Sequence, residues 1–440
     1  MDAEIIVVGA GAAGLAAAHA LAKRDACVTL IEARDRVGGR VWSCATTEDG
    51  PRVELGAEFI HGRATETMAV LREARVKAVP TDGDAWMCSA DAKLRREDDD
   101  FFTAASLFER AQSLESDETV DRFLQRFTHD PHSSAKIDAA RAFVEGFDAA
   151  DPSIASAQAI ADEWCSGVDF TNRRPVGGYH KMFETLRKAC VDAGVRIFDS
   201  TAVKQITWQR GRVQIATQTR KRTERVFQAQ AAIITLPVGV LKSQGGDGAV
   251  AFQPPLPQSH ERALHHIEMG HVRKVTLWFD APFWEDIDDG QYRNAGFFRC
   301  AQDAFAVYWT QLPLRTNLIT AWAGGPKATA LHEAGDQELI ERAARGFGKL
   351  FKDPQLSSRH FKSGFTHNWA RDDYSLGAYS YIRVGGRDAR AALSAPIDDT
   401  LFFAGEATAL DGQGGTVSGA LNTGERAARQ ATELLRSNSR

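Results

Sequence analysis

One stretch constrains the fold of this 440-residue chain more than any other: Gly9-Ala10-Gly11-Ala12-Ala13-Gly14, set between an apolar run at residues 4–9 and an Ala/Leu-rich segment reaching about Lys23. Glycines at the first, third and sixth places allow a tight turn after a strand, close approach of a phosphate, and close packing of helix on strand. The N-terminus of the following helix adds free N–H groups and partial positive charge. CVTLIEA then reads as a second strand ending at Glu32, where a carboxylate accepts hydrogen bonds from a ribose diol. A glycine-rich turn in any α/β protein could show the same three glycines. Strand, helix, strand and acid in this order predict a Rossmann-type unit with a parallel sheet.

The chain is too long for one core, so two domains are expected. From about Asp84 to Gly167 it is charged, Ala-rich and helically periodic, which predicts an inserted helical subdomain. A helix at 180–193 precedes strands through VRIFDSTAVKQITWQRGRVQIATQ and the buried QAAIITLP. HVRKVTLWF, AFAVYWTQ and NLITAWAG alternate as antiparallel strands do, and 336–352 is helical. DDTLFFAGEAT followed by TVSGALNTGERAARQATELL gives a strand, a glycine-rich turn and a long helix. The expected class is α/β, as an α+β two-domain protein. Its nucleotide-binding domain is discontinuous (1–83, 194–255 and 395–440), and a substrate domain of antiparallel sheet plus helices takes 84–193 and 256–394.

A formal charge of −5 gives no basic footprint for nucleic acid, and no apolar run of about 18 residues offers a membrane span. Six cysteines (Cys27, Cys44, Cys88, Cys165, Cys190, Cys300) are scattered without a CxxC pair and read as reduced thiols. The first strand begins at about Glu4, which leaves no room for a secretory signal, so a cytoplasmic location is expected. The histidines, including His265-His266, lack metal spacing such as HExxH, no serine sits in a GxSxG elbow, and no metal site is expected.

Arg34-Asp35-Arg36-Val37-Gly38-Gly39-Arg40 is more discriminating. Two glycines after the second strand let another backbone loop touch the same pyrophosphate, with Arg40 as its charge partner; an NAD site does not need this loop. Here the chain resembles the flavin-containing amine oxidase family, which shares GxGxxG, a GGR loop and an LGA segment. The matching stretches are VELGAEFIHG (53–62), AAIITLPVGVLK (231–242), FQPPLP (252–257), Lys274, PFW (282–284), WARDDYSLGAYSY (369–381), FFAGEAT and TVSGA. They occur in order and cover nearly everything except the helical insertion.

The resemblance implies bound FAD. Its cradle would comprise Gly9, Gly11, Ala13, Gly14, Glu32, Ala33, Arg34, Gly39, Arg40 and Val41 from the first segment. Gly56, Ala57, Glu58 and Phe59 would follow from the LGA segment, Val203, whose backbone would read adenine, and then Thr235 and Pro237. Trp369 would lie beside the isoalloxazine, Glu406 at the ribityl or pyrophosphate, and Thr416 and Val417 would point the last helix at the flavin O2/N1 edge. Ala378 stands where monoamine oxidases carry a flavin-bonded cysteine, so the FAD is expected to be non-covalent.

Lys274, His61 and Tyr379 are the catalytic candidates. The resemblance implies that Lys274 holds a water against flavin N5, that His61 in LGAxxxHG lines a polyamine tunnel, and that Tyr379 with Trp369 forms one side of an aromatic cage half opened at Thr416. Ser418 replaces a histidine common in TVHGA, which changes one polar contact near the flavin. Spacing does not single out the carboxylates for a distal ammonium; Glu58, Glu163, Asp169 and Glu184 are candidates. The expected activity is oxidation of a small amine, most closely a polyamine, with hydride passing to flavin N5, imine hydrolysis to aldehyde and amine, and dioxygen reduced to hydrogen peroxide. Rivals of the same fold are an L-amino-acid oxidase or other monoamine oxidase, and a desaturase or porphyrinogen oxidase. A redox-idle flavoprotein scaffold or a flavin demethylase of lysine tails would be a different class. The expected partners are a small-molecule polyamine or amine and dioxygen, with no nucleic acid and no membrane, and oligomeric state is left open.

Overall fold

In the computed structural model, described for residues 2–48, 50–88, 93–97, 101–130, 133–166 and 171–438, Ile5–Val8 is the central strand of a five-stranded parallel sheet. The order is Arg196–Phe198, Val28–Ile31, Ile5–Val8, Ala231–Ile234 and Leu401–Phe403. IIVV, VTLI and AAII are buried at every position, as strands covered on both faces must be. Ile5, Val7, Leu30 and Ile233 face the helices Ala12–Ala22, His180–Asp192 and Val417–Asn438. Their neighbours Ile6, Val8, Ile31 and Ile234 pack on the strands Thr201–Gln209, Arg212–Thr219 and Glu224–Ala229. Each such side chain, fully buried, contributes roughly 1.5–3 kcal/mol. The alanines of the first helix let the last helix come so near that a Cβ on Gly424 would stand 2.2 Å from Ala13 O.

A second sheet has seven strands. Their order is Phe361–Thr366, Val272–Phe279, Leu318–Gly324, Val307–Trp309, Ala295–Arg299, Asp84–Cys88 and Leu94–Arg96. All its pairings are antiparallel except Ala295–Arg299 with Asp84–Cys88.

Two expectations need correction. The stretch from Asp84 does not start as helix: its first residues form the hairpin at the sheet edge, and the helices Phe101–Phe108, Val120–Gln125, Ser134–Gly146 and Ala157–Trp164 come later. DAWMC is apolar after Asp84 but short, and its partner LRR is charged, so neither shows the alternation of a strand. The helix His180–Asp192, assigned to the substrate half, instead buries Met182, Phe183 and Leu186 in the core around the first helix. Its apolar face, not its place in the chain, decides which half it joins.

Candidate functional site

A cavity of about 910 Å³ is lined by residues of both sheets and of the helical segment. All but one of the site residues expected from sequence reach its wall; Gly14 does not. It lies beneath the turn, where a Cβ would stand 1.8 Å from Gly9 O, so this glycine shapes the loop from below. Gly9 turns the chain at φ 99°, and Gly11 has open space where a side chain would be. Gly39 approaches it, a Cβ there lying 3.5 Å from Gly11 Cα. Two bare loops therefore face each other across the head of the first helix, and the site fits an extended dinucleotide.

Charged residues complete this cradle. Glu32 accepts the N–H groups of Ala10 at 2.7 Å and Arg34 at 2.8 Å, one on each oxygen, and burial raises its pKa. Arg40 donates to Ala378 O at 2.6 Å and to Glu406 at 2.9 Å, tying the second loop to the far end of the chain. Glu406 also accepts Ser380 Oγ at 2.7 Å and the N–H of Gly415 at 3.1 Å. Burial works against its charge, but Arg40 and Arg390 hold the carboxyl below its ordinary range. Thr416 caps the last helix, its Oγ1 accepting the N–H of Gly419 at 2.9 Å, while Val417 starts that helix at the wall. Ala33, Val41, Val203 and Pro237 reach the wall, and Thr235 steadies the Gly9 turn by donating to Val8 O at 2.7 Å.

Two assignments shift. The guanidinium of Arg34 is committed to Asp372 by two hydrogen bonds of 2.9 and 2.7 Å and to Ser375 at 2.9 Å, so it braces the wall as an ion pair. Ser418 does not line the cavity; it donates to Glu66 at 2.9 Å, so the replaced histidine changes a contact behind the wall.

The other half of the cavity holds the catalytic candidates. Lys274, in the strand Val272–Phe279, is 4% exposed and places Nζ 2.7 Å from Glu58 and 3.2 Å from Gly56 O. Glu58 also accepts Trp309 Nε1 at 3.0 Å and Gln311 Nε2 at 3.1 Å, and Arg174 lies 3.7 Å away. Burial would raise the Glu58 pKa, but Lys274 and Arg174 overcome it and hold it at about 2. Glu58 is thus the partner of Lys274, which removes it as a carboxylate free for a distal ammonium.

Trp369 donates to Leu55 O at 2.9 Å, and its ring lies 3.2 Å from where a Cβ on Gly56 would stand; it braces the segment of Gly56, Ala57 and Phe59. Tyr379 donates to Phe147 O at 2.5 Å, and burial followed by Asp148 raises its pKa well above the ordinary range. His61 is bonded through Nδ1 to Asn172 Oδ1 at 2.6 Å. A carboxamide oxygen only accepts, so Nδ1 carries the proton and Nε2 is left as an acceptor. Burial lowers its pKa, keeping it neutral.

Glu163 lines the cavity, and beside it stands a residue that sequence reasoning missed, Asp148. Burial raises both pKa values, Glu163 to about 7, and their mutual repulsion adds to the shift at Asp148. Glu184 is paired with His180 on an exposed helix surface, and Asp169 is outside the described residues. Phe147, Trp309 and Trp322 complete an aromatic wall with His61 and Phe59. Trp309 and Trp322 lay in predicted strands, but nothing in their spacing showed that both would face this cavity.

With a dinucleotide cradle joined to a buried lysine and an aromatic wall, the geometry defines a flavin oxidoreductase. The family model of flavin-containing amine oxidoreductases matches residues 82–432, and that of NAD(P)-binding Rossmann-like domains matches 7–74. The chain therefore belongs to the flavin-containing amine oxidoreductases, and its cofactor is FAD. It is 27% identical to polyamine oxidase 3 of Oryza sativa subsp. japonica, over 97% of this chain and 88% of that one. It is 25% identical to lysine-specific histone demethylase 1 homolog 3 of Arabidopsis thaliana over 99% of this chain, but spans only 30% of that protein's length. Among solved structures, putrescine oxidase bound to putrescine superposes with a TM-score of 0.80 at 20% identity, covering 98% of this chain and 99% of that one. Cyclohexylamine oxidase from Brevibacterium oxydans IH-35A gives 0.81 at 21%, covering 99% and 100%. At such identity these two likenesses speak for the fold alone.

Proposed function

We propose that the protein oxidises polyamines, using dioxygen as electron acceptor and a non-covalently held FAD. The observation that carries the reading is the acid pair of buried Asp148 and half-buried Glu163 on the wall of the cavity that Lys274 and Tyr379 also line. Two carboxyls held so close to protonation are poised to ionise beside a cation, and a second ammonium of the substrate supplies one. The near full-length likeness to a polyamine oxidase supports this substrate class.

When bound, the flavin supplies the two-electron oxidation of the carbon beside the reacting nitrogen, with hydrogen peroxide as the proposed product from dioxygen. Non-covalent attachment follows from Ala378, whose side chain offers no nucleophile. The protein's residues prepare the amine. The reacting nitrogen has to be neutral, and the aromatic wall of Phe147, Trp309 and Trp322 disfavours its charged form by excluding water. His61 Nε2 is placed to accept a hydrogen bond from that nitrogen. Two of the three donors of Lys274 are taken by Glu58 and Gly56 O, leaving one for a water at the cavity. The N-terminus of the last helix would balance negative charge that develops on the flavin ring, while Arg40 would face the pyrophosphate. With its thiols free, the protein suits a reducing compartment, and we place it in the cytoplasm.

The test is a substrate panel. Peroxide release with spermidine, N-acetylspermidine, tyramine and leucine should be fastest with one of the first two, and should rise from neutral to alkaline pH. Faster turnover of tyramine or leucine would overturn the polyamine reading.

A further inference from the structure

We propose that Glu58 is a positioning residue for Lys274, fixing the direction of its ammonium and cancelling one of the two cations buried at this wall. The inference rests on the reading of Lys274 as the cation that serves the flavin. Glu58 gathers partners from separate parts of the chain: Lys274 at 2.7 Å, Trp309 at 3.0 Å, Gln311 at 3.1 Å and Arg174 at 3.7 Å. Lys274, Arg174 and Glu58 are 4%, 3% and 8% exposed, so water screens none of them. Without the carboxylate, two buried cations would face each other uncompensated. With it, the cluster keeps one positive charge, and Lys274 is held between Glu58 and Gly56 O with Trp309 at 5.8 Å beneath it.

Arg174 cannot replace Glu58 in this role, nor does it compete for the cavity, because it donates to Thr310 O at 2.9 Å and Gln311 Oε1 at 2.8 Å. The other titratable groups facing the cluster are neutral or easily made so. Burial raises Glu54 to about 7 and raises Tyr179 beyond its ordinary range. Glu58 is therefore the fixed anion against which the lysine is set.

A double-mutant cycle on the FAD-loaded protein tests this. The variants are Glu58→Gln, Lys274→Met and their combination, and the probe is sulfite, its Kd read from the loss of flavin absorbance. Glu58→Gln should tighten sulfite on the order of tenfold in the Lys274 background and by less than about twofold with Lys274→Met, the coupling expected of charged groups in contact. Glu58→Asp, which keeps the charge one methylene shorter, should recover part of the wild-type value, and it provides the same cycle should Glu58→Gln fail to load FAD. Equal shifts in both backgrounds would overturn the proposal. The rate of reoxidation by dioxygen is read in parallel. Wild-type reoxidation by Lys274→Met, with the sulfite cycle still coupled, would keep the positioning role and remove the reading of Lys274 in oxygen chemistry.

Discussion

The two halves of the cavity are built from different materials. Around the nucleotide cradle, backbone does most of the shaping, through turns at Gly9, Gly38 and Gly39 and the heads of two helices. Around Lys274 and the acid pair, side chains from distant segments converge: Glu58, Arg174, Trp309, Asp148 and Glu163. A backbone site tolerates almost any neighbour but no added Cβ at its turns. A side-chain site tolerates local changes of shape but not the loss of one charge.

The sharpest way to break this contrast is Gly14→Val. Since even a single Cβ would collide with Gly9 O, we expect a loss of at least about 3 kcal/mol and failure to retain FAD, read from melting and from flavin absorbance of the purified protein. A yellow, stable variant would show that the turn is not set by backbone contact. On the other half, Asp148→Asn or Glu163→Gln should raise KM for spermidine about tenfold, roughly 1.4 kcal/mol, while tyramine changes little and FAD content stays constant. Equal loss with both amines would remove the pair from substrate recognition.

The same pair gives a pH signature. Unfolded, a glutamate loses its proton near pH 4.5, whereas folded Glu163 retains it up to about 7. The folded state thus binds more protons in that interval, and ligand-free stability falls as pH rises through it, by on the order of 1–3 kcal/mol. Glu54 adds to this slope, but the part that a bound polyamine reverses belongs to the cavity acids. Spermidine should therefore raise Tm more at pH 8 than at pH 5; an equal rise at both would contradict it. On FAD the effect of Arg34→Ala is smaller still: affinity should fall by less than about threefold, although the lost partner of Asp372 costs about 1–3 kcal/mol of stability, measured by FAD titration and melting. Ser418→Ala should leave the flavin spectrum unchanged, because Ser418 bonds Glu66 behind the wall.

How much of this was legible follows from the same contrast. GAGAAG, GGR and the AGEAT turn announce themselves because glycine at a tight turn has a local cause. The parallel strands were equally plain, since IIVV and AAII are apolar throughout. Asp148 gave no signal: it follows the helix Ser134–Gly146, and only the packing of Trp164, whose Nε1 donates to it at 3.2 Å, brings it beside Glu163. The pairing of Glu58 with Lys274 spans 216 residues and has no local trace. Arg34 misled for the opposite reason. Its motif pointed to phosphate, while its actual partner, Asp372, lies 338 residues on.

The clasp of Arg40 on Ala378 and Glu406 carries a consequence for biosynthesis. A chain still being translated has its first phosphate loop long before it has residues 401–420, so the pocket lacks that wall until this segment has been made. Cofactor loading is thereby deferred until that segment emerges, and a product truncated before residue 401 would remain colourless however well its N-terminal half had folded.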